Sequence, residues 1–223
     1  MNRSALQTYL SFRDMGSTPL SEALTRLERS SACIPVALAA AAGCGLALGS
    51  YRLTHGVVGP QPLLSALKVP LLLAGTAALS VPSYFVTLSV VGLGGDIGRV
   101  FAQLRAALLS FTLVLAAFSP IGLFGYLCHA NHRLAVLSSG PFFLAATWAA
   151  MMRLRRGLRP LIEVRPLHRR MLTLFAATFA FVAIQLAWTL RPFVGRVDEP
   201  IRLFGETAFT NAFEALARLL LGG

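Results

Sequence analysis

Long apolar runs separated by charged segments are the main pattern along this chain. Five runs stand out, at residues 33–50, 69–93, 106–127, 134–152 and 171–190. An α-helix needs about 20 apolar residues to cross a hydrocarbon core about 30 Å thick. Because a segment in lipid has to satisfy its backbone hydrogen bonds internally, the pattern predicts an all-α fold, a polytopic transmembrane helix bundle of about five spans.

The flanks of the bundle carry a different, amphipathic pattern. Leu20, Leu24 and Leu27 recur at helical spacing after Thr18-Pro19, which predicts a helix with proline in its first turn. Apolar residues recur in the same way near the other end of the chain, at Phe209, Phe213, Leu216 and Leu220. Both helices are predicted to lie in the membrane interface or to pack on a partner. A short stretch after Pro62 is predicted to lie in the interface as well.

These patterns divide the chain into three regions. Residues 1–32 form a cytoplasmic amphipathic segment, residues 33–190 form the five-span bundle, and residues 191–223 form an exterior segment with an interfacial helix. The third span is open to an earlier start, because Asp96 is a suitable N-cap for a helix that runs on through Val100.

Composition supports a membrane location. The chain has 223 residues, of which 56% are hydrophobic and 13% charged, and its mean hydropathy is +0.68. A soluble domain carries about 25% charged residues, because its surface has to be solvated. The missing charge is explained if much of the surface faces lipid.

The excess of basic residues predicts the orientation. The chain has 20 Lys+Arg against 9 Asp+Glu, and basic residues collect in the loops on the cytoplasmic side of a membrane protein. Thirteen of the 20 lie on the side of the N-terminus, seven of them in residues 153–170. We therefore expect a cytoplasmic N-terminus and an exterior C-terminus. Lys68, the one lysine of the chain, is predicted to lie in an exterior loop before the second span. The arginine bias is typical of a GC-rich bacterial source, so we expect the inner membrane. No basic stretch is interleaved with aromatic residues in a soluble module, so we expect no nucleic-acid partner.

Small residues line one face of the first span. Ala37, Ala41, Gly45 and Gly49 follow each other at intervals of four. Small residues allow helix backbones to approach closely in lipid. The ladder predicts a helix-packing seam, either inside the bundle or with a second copy or partner.

Prolines lie inside three spans, at Pro82, Pro120 and Pro141, and they indicate a candidate cavity. Pro82 and Pro120 each remove a backbone hydrogen bond in the middle of an apolar run, and Ser83 and Gln185 add polar groups at depth. Broken helices mark the binding sites of many transporters. These four residues are the candidates for a cavity.

Two sets of residues are candidates for lipid or partner binding. Trp188 and Arg191 lie three residues apart at the end of the fifth span, at the depth where aromatic residues and snorkelling cations collect. Arg153, Arg155 and Arg156 follow the fourth span directly, where they could bind anionic headgroups or simply set the orientation.

The sequence offers little for catalysis or for a metal. The predicted spans contain no charged residue or histidine, and no nucleophile with a base can be assembled in them. His129 and His132 flank Asn131 beside Cys128, but a further ligand is not evident nearby. We expect no cofactor, no metal and no enzymatic activity.

Two segments carry a resemblance. WTLRPFVG at 188–195 and FTNAFEAL at 209–216 resemble the C-terminal end of a group of uncharacterised bacterial multi-pass membrane proteins. The five-span plan is also similar to the Yip-type family of trafficking proteins. The resemblance implies a scaffold or adaptor role and transfers no catalytic residue.

The sequence thus favours a non-catalytic membrane protein that packs against lipids, other membrane subunits or itself. The alternative is a small transporter or permease component with a pathway between kinked helices. A membrane-bound enzyme that acts at the interface comes third.

Overall fold

A computed structural model describes residues 19–128 and 132–195. Every regular element in these two ranges is helical, which confirms the predicted all-α fold. The helices are α1 Pro19–Arg29, α2 Cys33–Gly49, α3 Tyr51–Thr54, α4 Gln61–Val90, α5 Ile97–Cys128, α6 His132–Val164 and α7 Leu167–Leu190. The predicted amphipathic helix at α1 is therefore present, whereas the one near the C-terminus lies outside the described residues.

Five helical segments are long and apolar enough to cross a membrane, as the sequence predicts. They are Cys33–Thr54, Gln61–Val90, Gly94–Cys128, His132–Val164 and Leu167–Leu190. The helices extend beyond the apolar runs, and α6 with 33 residues is about 50 Å long at 1.5 Å per residue. The hydropathy runs thus identify each helix but not its ends.

The helix of the first span lies at the centre of the bundle. Helix α2 packs against α4 on one side and α5 on the other, α7 packs on the outside of α4, and α6 packs on the outside of α5. Helices α6 and α7 contact each other little. The neighbours therefore follow the order α7, α4, α2, α5 and α6.

The small-residue ladder of α2 is a seam within the chain. Ala37, Ala41, Gly45 and Gly49 are all buried. A Cβ at Gly45 would overlap the backbone carbonyl of Ser65, and a Cβ at Gly49 would lie 2.6 Å from the Cα of Pro62. The two glycines thus bring the backbones of α2 and α4 together, which is the first of the two arrangements that the ladder allows.

Helix α4 begins at Gln61, eight residues before the predicted span, and this changes two predictions. The separate interfacial helix after Pro62 is wrong, because these residues form the first turns of α4, where proline is well suited. The placement of Lys68 in an exterior loop is also wrong, because Lys68 lies inside α4 and is 0% exposed.

The arginine-rich segment 153–170 is helical and not a loop. Helix α6 continues to Val164, and α7 begins at Leu167 after a turn at Arg165-Pro166. The inward side of this extension carries Leu154, Leu158 and Leu161, which pack with residues of α5 and α7. We call this end of the bundle the arginine end, and the opposite end, at Gln61 and His132, the clasp end.

The glycine-rich turn between α4 and α5 is fixed by backbone hydrogen bonds and by a side-chain contact of Asp96. Gly92 has a φ of 76°, and the Leu93 amide donates to the Leu88 carbonyl at 2.8 Å, as in a Schellman motif. Helix α5 then begins directly after Asp96, at the predicted position. The Asp96 carboxylate accepts a hydrogen bond from the buried His168 at 3.1 Å, so it also joins the turn to α7.

Candidate functional site

The chain that follows α7 is held at the clasp end by three side chains on two helices. Lys68 donates to the Pro192 carbonyl at 2.9 Å, and Ser65 donates to the Phe193 carbonyl at 2.6 Å. The His132 Nε2 lies 3.1 Å from the Val194 carbonyl. A carbonyl only accepts, so this nitrogen carries the proton. We call Ser65, Lys68, His132 and residues 191–195 the polar clasp.

Helical spacing in α4 aligns the donors of the polar clasp. Gln61, Ser65 and Lys68 follow at intervals of four and three, so they lie on one face of the helix. All three are buried, and Gln61 donates to the Ser65 hydroxyl at 3.4 Å. A Cβ at Gly195 would lie 2.8 Å from the Gln61 side chain, so glycine allows the chain to pass close to α4.

The polar clasp joins α6 to α4 and α7, two helices that α6 otherwise contacts little. Residues 191–195 leave the end of α7, cross α4 at Ser65 and Lys68, and reach the start of α6 at His132. Val194 is 6% exposed and belongs to the apolar core of this end, together with Tyr51 and Tyr126. The arrangement therefore closes the clasp end of the bundle by fixing backbone carbonyls.

Aromatic rings pack around His132 of the polar clasp. The ring of Tyr51 lies 5.5 Å from that of His132 and 5.4 Å from that of Tyr126, both nearly edge to face. Tyr51 also lies 4.4 Å from His55. Such pairs stabilise a fold beyond their buried area, so they help to hold His132 where it meets Val194.

Trp188 and Arg191 contact each other at the start of the polar clasp. The Arg191 guanidinium carbon lies 3.4 Å from the centre of the Trp188 ring, a cation–π arrangement. Both side chains are half-buried. The predicted lipid or partner contact of this pair stays a prediction.

The three predicted arginines after the fourth span differ in their surroundings. Arg153 forms a two-point ion pair with Glu28 of α1, with a distance of 2.8 Å from Nε to Oε1, and it also donates to Gln103 at 3.2 Å. Arg155 and Arg156 are exposed. Arg153 thus fixes α1 to the bundle, and only the other two arginines present open guanidinium groups.

The contact between Glu28 and Arg153 leads to a first prediction. We expect Glu28→Gln to loosen α1 from the bundle, because it removes the charge that Arg153 faces in a partly buried site. The side chains are 14% and 32% exposed, so with solvent screening we expect a loss of about 1–2 kcal/mol. Hydrogen exchange of the α1 amides, which reports local opening, should be faster by about tenfold.

The matched control for this prediction is Glu22→Gln, which makes the same chemical change at an exposed position of the same helix. It should leave the exchange of α1 nearly unchanged. Equal exchange in the two variants would mean that the ion pair does not hold α1.

The four residues predicted for a cavity do not come together. Three of them, Pro82, Ser83 and Pro120, are exposed on the surface of the bundle, and Gln185 is half-buried. A small cavity of about 20 Å³ does lie between α2, α5 and α6, lined by residues that include Cys44, Ser119 and Phe142. This cavity has room for about one water molecule. The transporter alternative therefore stays a prediction without support from these residues.

Of the two neighbouring histidines His129 and His132, the structure describes His132. His132 lies in the polar clasp, and His129 lies outside the described residues. In the ranges 19–128 and 132–195, no three His, Cys, Asp or Glu side chains come together as a metal site would require.

Sequence reasoning missed the donors of the polar clasp. Lys68 is the one lysine of the chain and borders an apolar run, which was the available signal for an unusual role. Its partner lies 124 residues away, so the contact has no signature in local sequence.

Comparisons of the chain with protein-family models, with curated proteins and with solved structures find no match.

Proposed function

We propose that this chain is a non-catalytic, multi-pass protein of the bacterial inner membrane and works as a scaffold, adaptor or subunit of a membrane assembly. In this proposal the arginine end is cytoplasmic and the clasp end is exterior, as the bias of basic residues favours. The chain would act by packing against other transmembrane helices and against lipid.

The observation that carries the proposal is the outward face of α7. This helix packs mainly on α4, and it leaves Thr173, Ala177 and Ala180 exposed at intervals of four and three. Leu174 and Phe181 are also exposed. A row of small side chains beside larger ones is typical of a surface on which a second helix packs in lipid.

The polarity of this row also suits a helix contact. Thr173 is its one polar member, and the Thr173 hydroxyl donates to the Arg169 carbonyl of its own helix at 3.0 Å. The hydroxyl proton is therefore already used within α7. Another helix can thus cover the face at little desolvation cost. A partner transmembrane helix that packs along Thr173, Ala177 and Ala180, beside Leu174 and Phe181, is the occupant that we propose.

The test places a photo-crosslinking amino acid at Ala180 in the full chain, expressed in its own host. We expect crosslinks from Ala180 to one defined protein, and purification in a mild detergent should give particles heavier than one chain. The matched control places the same group at Leu144 on α6, which is also exposed and should crosslink mainly to lipid. No protein adduct at Ala180, together with a particle of one chain, would contradict the proposal.

A further inference from the structure

One face of α6 is an apolar stripe that ends in two arginines. Leu144 and Trp148 are 72% and 68% exposed, and Met152 follows one turn later at 38%. Arg155 is seven residues after Trp148 and lies on the same face of the helix. Arg156 is adjacent and also exposed. The stripe thus runs from apolar side chains into positive charge without a turn or a loop.

No carboxylate among the described residues forms an ion pair with Arg155 or Arg156. Within the described ranges 19–128 and 132–195, Glu28 pairs with Arg153, Asp96 pairs with His168 and Arg165, and Glu163 pairs with Arg159. Glu22, the remaining one, lies in α1 with no ion pair to either arginine. Arg155 and Arg156 therefore present the guanidinium groups of two neighbouring residues to an external anion.

We propose that Arg155 and Arg156 bind the phosphate of an anionic phospholipid, whose acyl chains lie along Trp148 and Leu144. This site deepens the lipid contacts of the proposed function and rests on its membrane placement, but not on a protein partner. A planar guanidinium matches the oxygens of a phosphate with two parallel hydrogen bonds. A headgroup with a second negative charge would be attracted more strongly to the two arginines.

The depth of the arginines favours a lipid over a soluble acidic partner. Arg155 is three residues beyond Met152, a rise of about 4.5 Å along the helix axis. A snorkelling arginine at this distance from the apolar zone places its charge at the level of the headgroups. Trp148, one turn on the other side of Met152, occupies the depth at which tryptophan collects at the interface. A phospholipid therefore suits both ends of the stripe, because its acyl chains can contact Trp148 while its phosphate contacts Arg155.

The position of Trp148 makes the proposal testable by fluorescence. The chain has two tryptophans, so Trp188→Phe leaves Trp148 as the one reporter while it keeps an aromatic ring at 188. The full chain is reconstituted in phosphatidylcholine vesicles that contain either brominated phosphatidylglycerol or brominated phosphatidylcholine at equal mole fraction. Bromine on the acyl chains quenches a tryptophan that they touch.

We expect the brominated anionic lipid to quench Trp148 with an apparent association at least about threefold stronger than that of the zwitterionic lipid, from two basic residues near the surface. Arg155→Gln/Arg156→Gln should abolish this preference. Raising the salt to about 0.5 M should reduce the preference in the unaltered chain, because the Debye length falls.

The matched control is Arg159→Gln/Arg165→Gln, which changes the net charge by the same amount at two exposed arginines that already have carboxylate partners. This variant should keep most of the preference. Equal quenching by the two lipids in the unaltered chain would overturn the site, and so would an equal loss in both variants. Because no protein partner is present in the vesicles, either outcome is independent of the crosslinking result at Ala180.

Discussion

Replacing Gly45 with alanine is expected to lower the free energy of unfolding of the bundle by about 2–3 kcal/mol, the upper range for overpacking a close contact. The added Cβ would overlap the backbone carbonyl of Ser65 on α4. A backbone atom cannot move aside as the end of a flexible side chain does, so α2 and α4 would have to separate. Thermal unfolding of the purified chain in a mild detergent measures the loss.

The control for Gly45 lies two residues away on the same helix. Gly43 is exposed, and a Cβ there meets nothing within 4 Å. Gly43→Ala should therefore keep the stability or raise it by up to about 1 kcal/mol, since alanine has the higher helix propensity. If Gly45→Ala left the stability unchanged but dissociated an oligomer, the seam would lie between copies and not between α2 and α4.

The second large effect is expected at the polar clasp. The double variant Ser65→Ala/Lys68→Met removes the donors to the Pro192 and Phe193 carbonyls, and each of these partly buried acceptors costs about 1 kcal/mol when it loses its partner, the lower end of the range for a buried group. Neighbouring losses do not add fully, so we expect residues 191–195 to open at least about tenfold more often.

A cysteine introduced in place of Val194 measures this opening. Val194 is 6% exposed, so Val194→Cys should react slowly with a water-soluble thiol reagent in the intact protein. In the double variant the reaction should be at least about tenfold faster, because it follows local opening. The background is Cys128→Ser, because Cys128 is exposed whereas Cys33 and Cys44 are buried.

The same helix supplies the control for the serine. The hydroxyl of Ser83 is exposed and donates to the Leu79 carbonyl within α4, so Ser83→Ala should leave the reaction rate of the introduced thiol unchanged. Labelling that stays slow in Ser65→Ala/Lys68→Met would show that Val194 packing alone holds the segment.

The five helices that are long and apolar enough to cross a membrane could be predicted from sequence, because lipid imposes one simple requirement. A run such as 106–127 is too apolar for water and long enough for the bilayer, and a helix is the structure that satisfies its backbone. Hydropathy reports the depth of a residue, however, and not where a helix ends. Arginine is a good helix former, so α6 continues through Arg155 and Arg159 although the apolar run stops at Met152.

The contacts between helices were less accessible to sequence reasoning. The spacing of Gly45 and Gly49 predicts a close approach, but it does not say which helix approaches. Lys68 illustrates the stronger limit. Its burial is tolerable because a carbonyl from position 192 reaches it, and a pattern that treats each span alone has no information about that encounter.

The central position of α2 has a consequence for biosynthesis. Each later long helix packs on a helix that precedes it in the chain: α4 and then α5 pack on α2, α6 packs on α5, and α7 packs on α4. Each long helix after α2 therefore has at least one of its packing neighbours already translated before it. Residues 191–195 emerge after all five spans and fasten α7 to the start of α6, so the order of synthesis is also an order in which the bundle can be assembled from its centre outward.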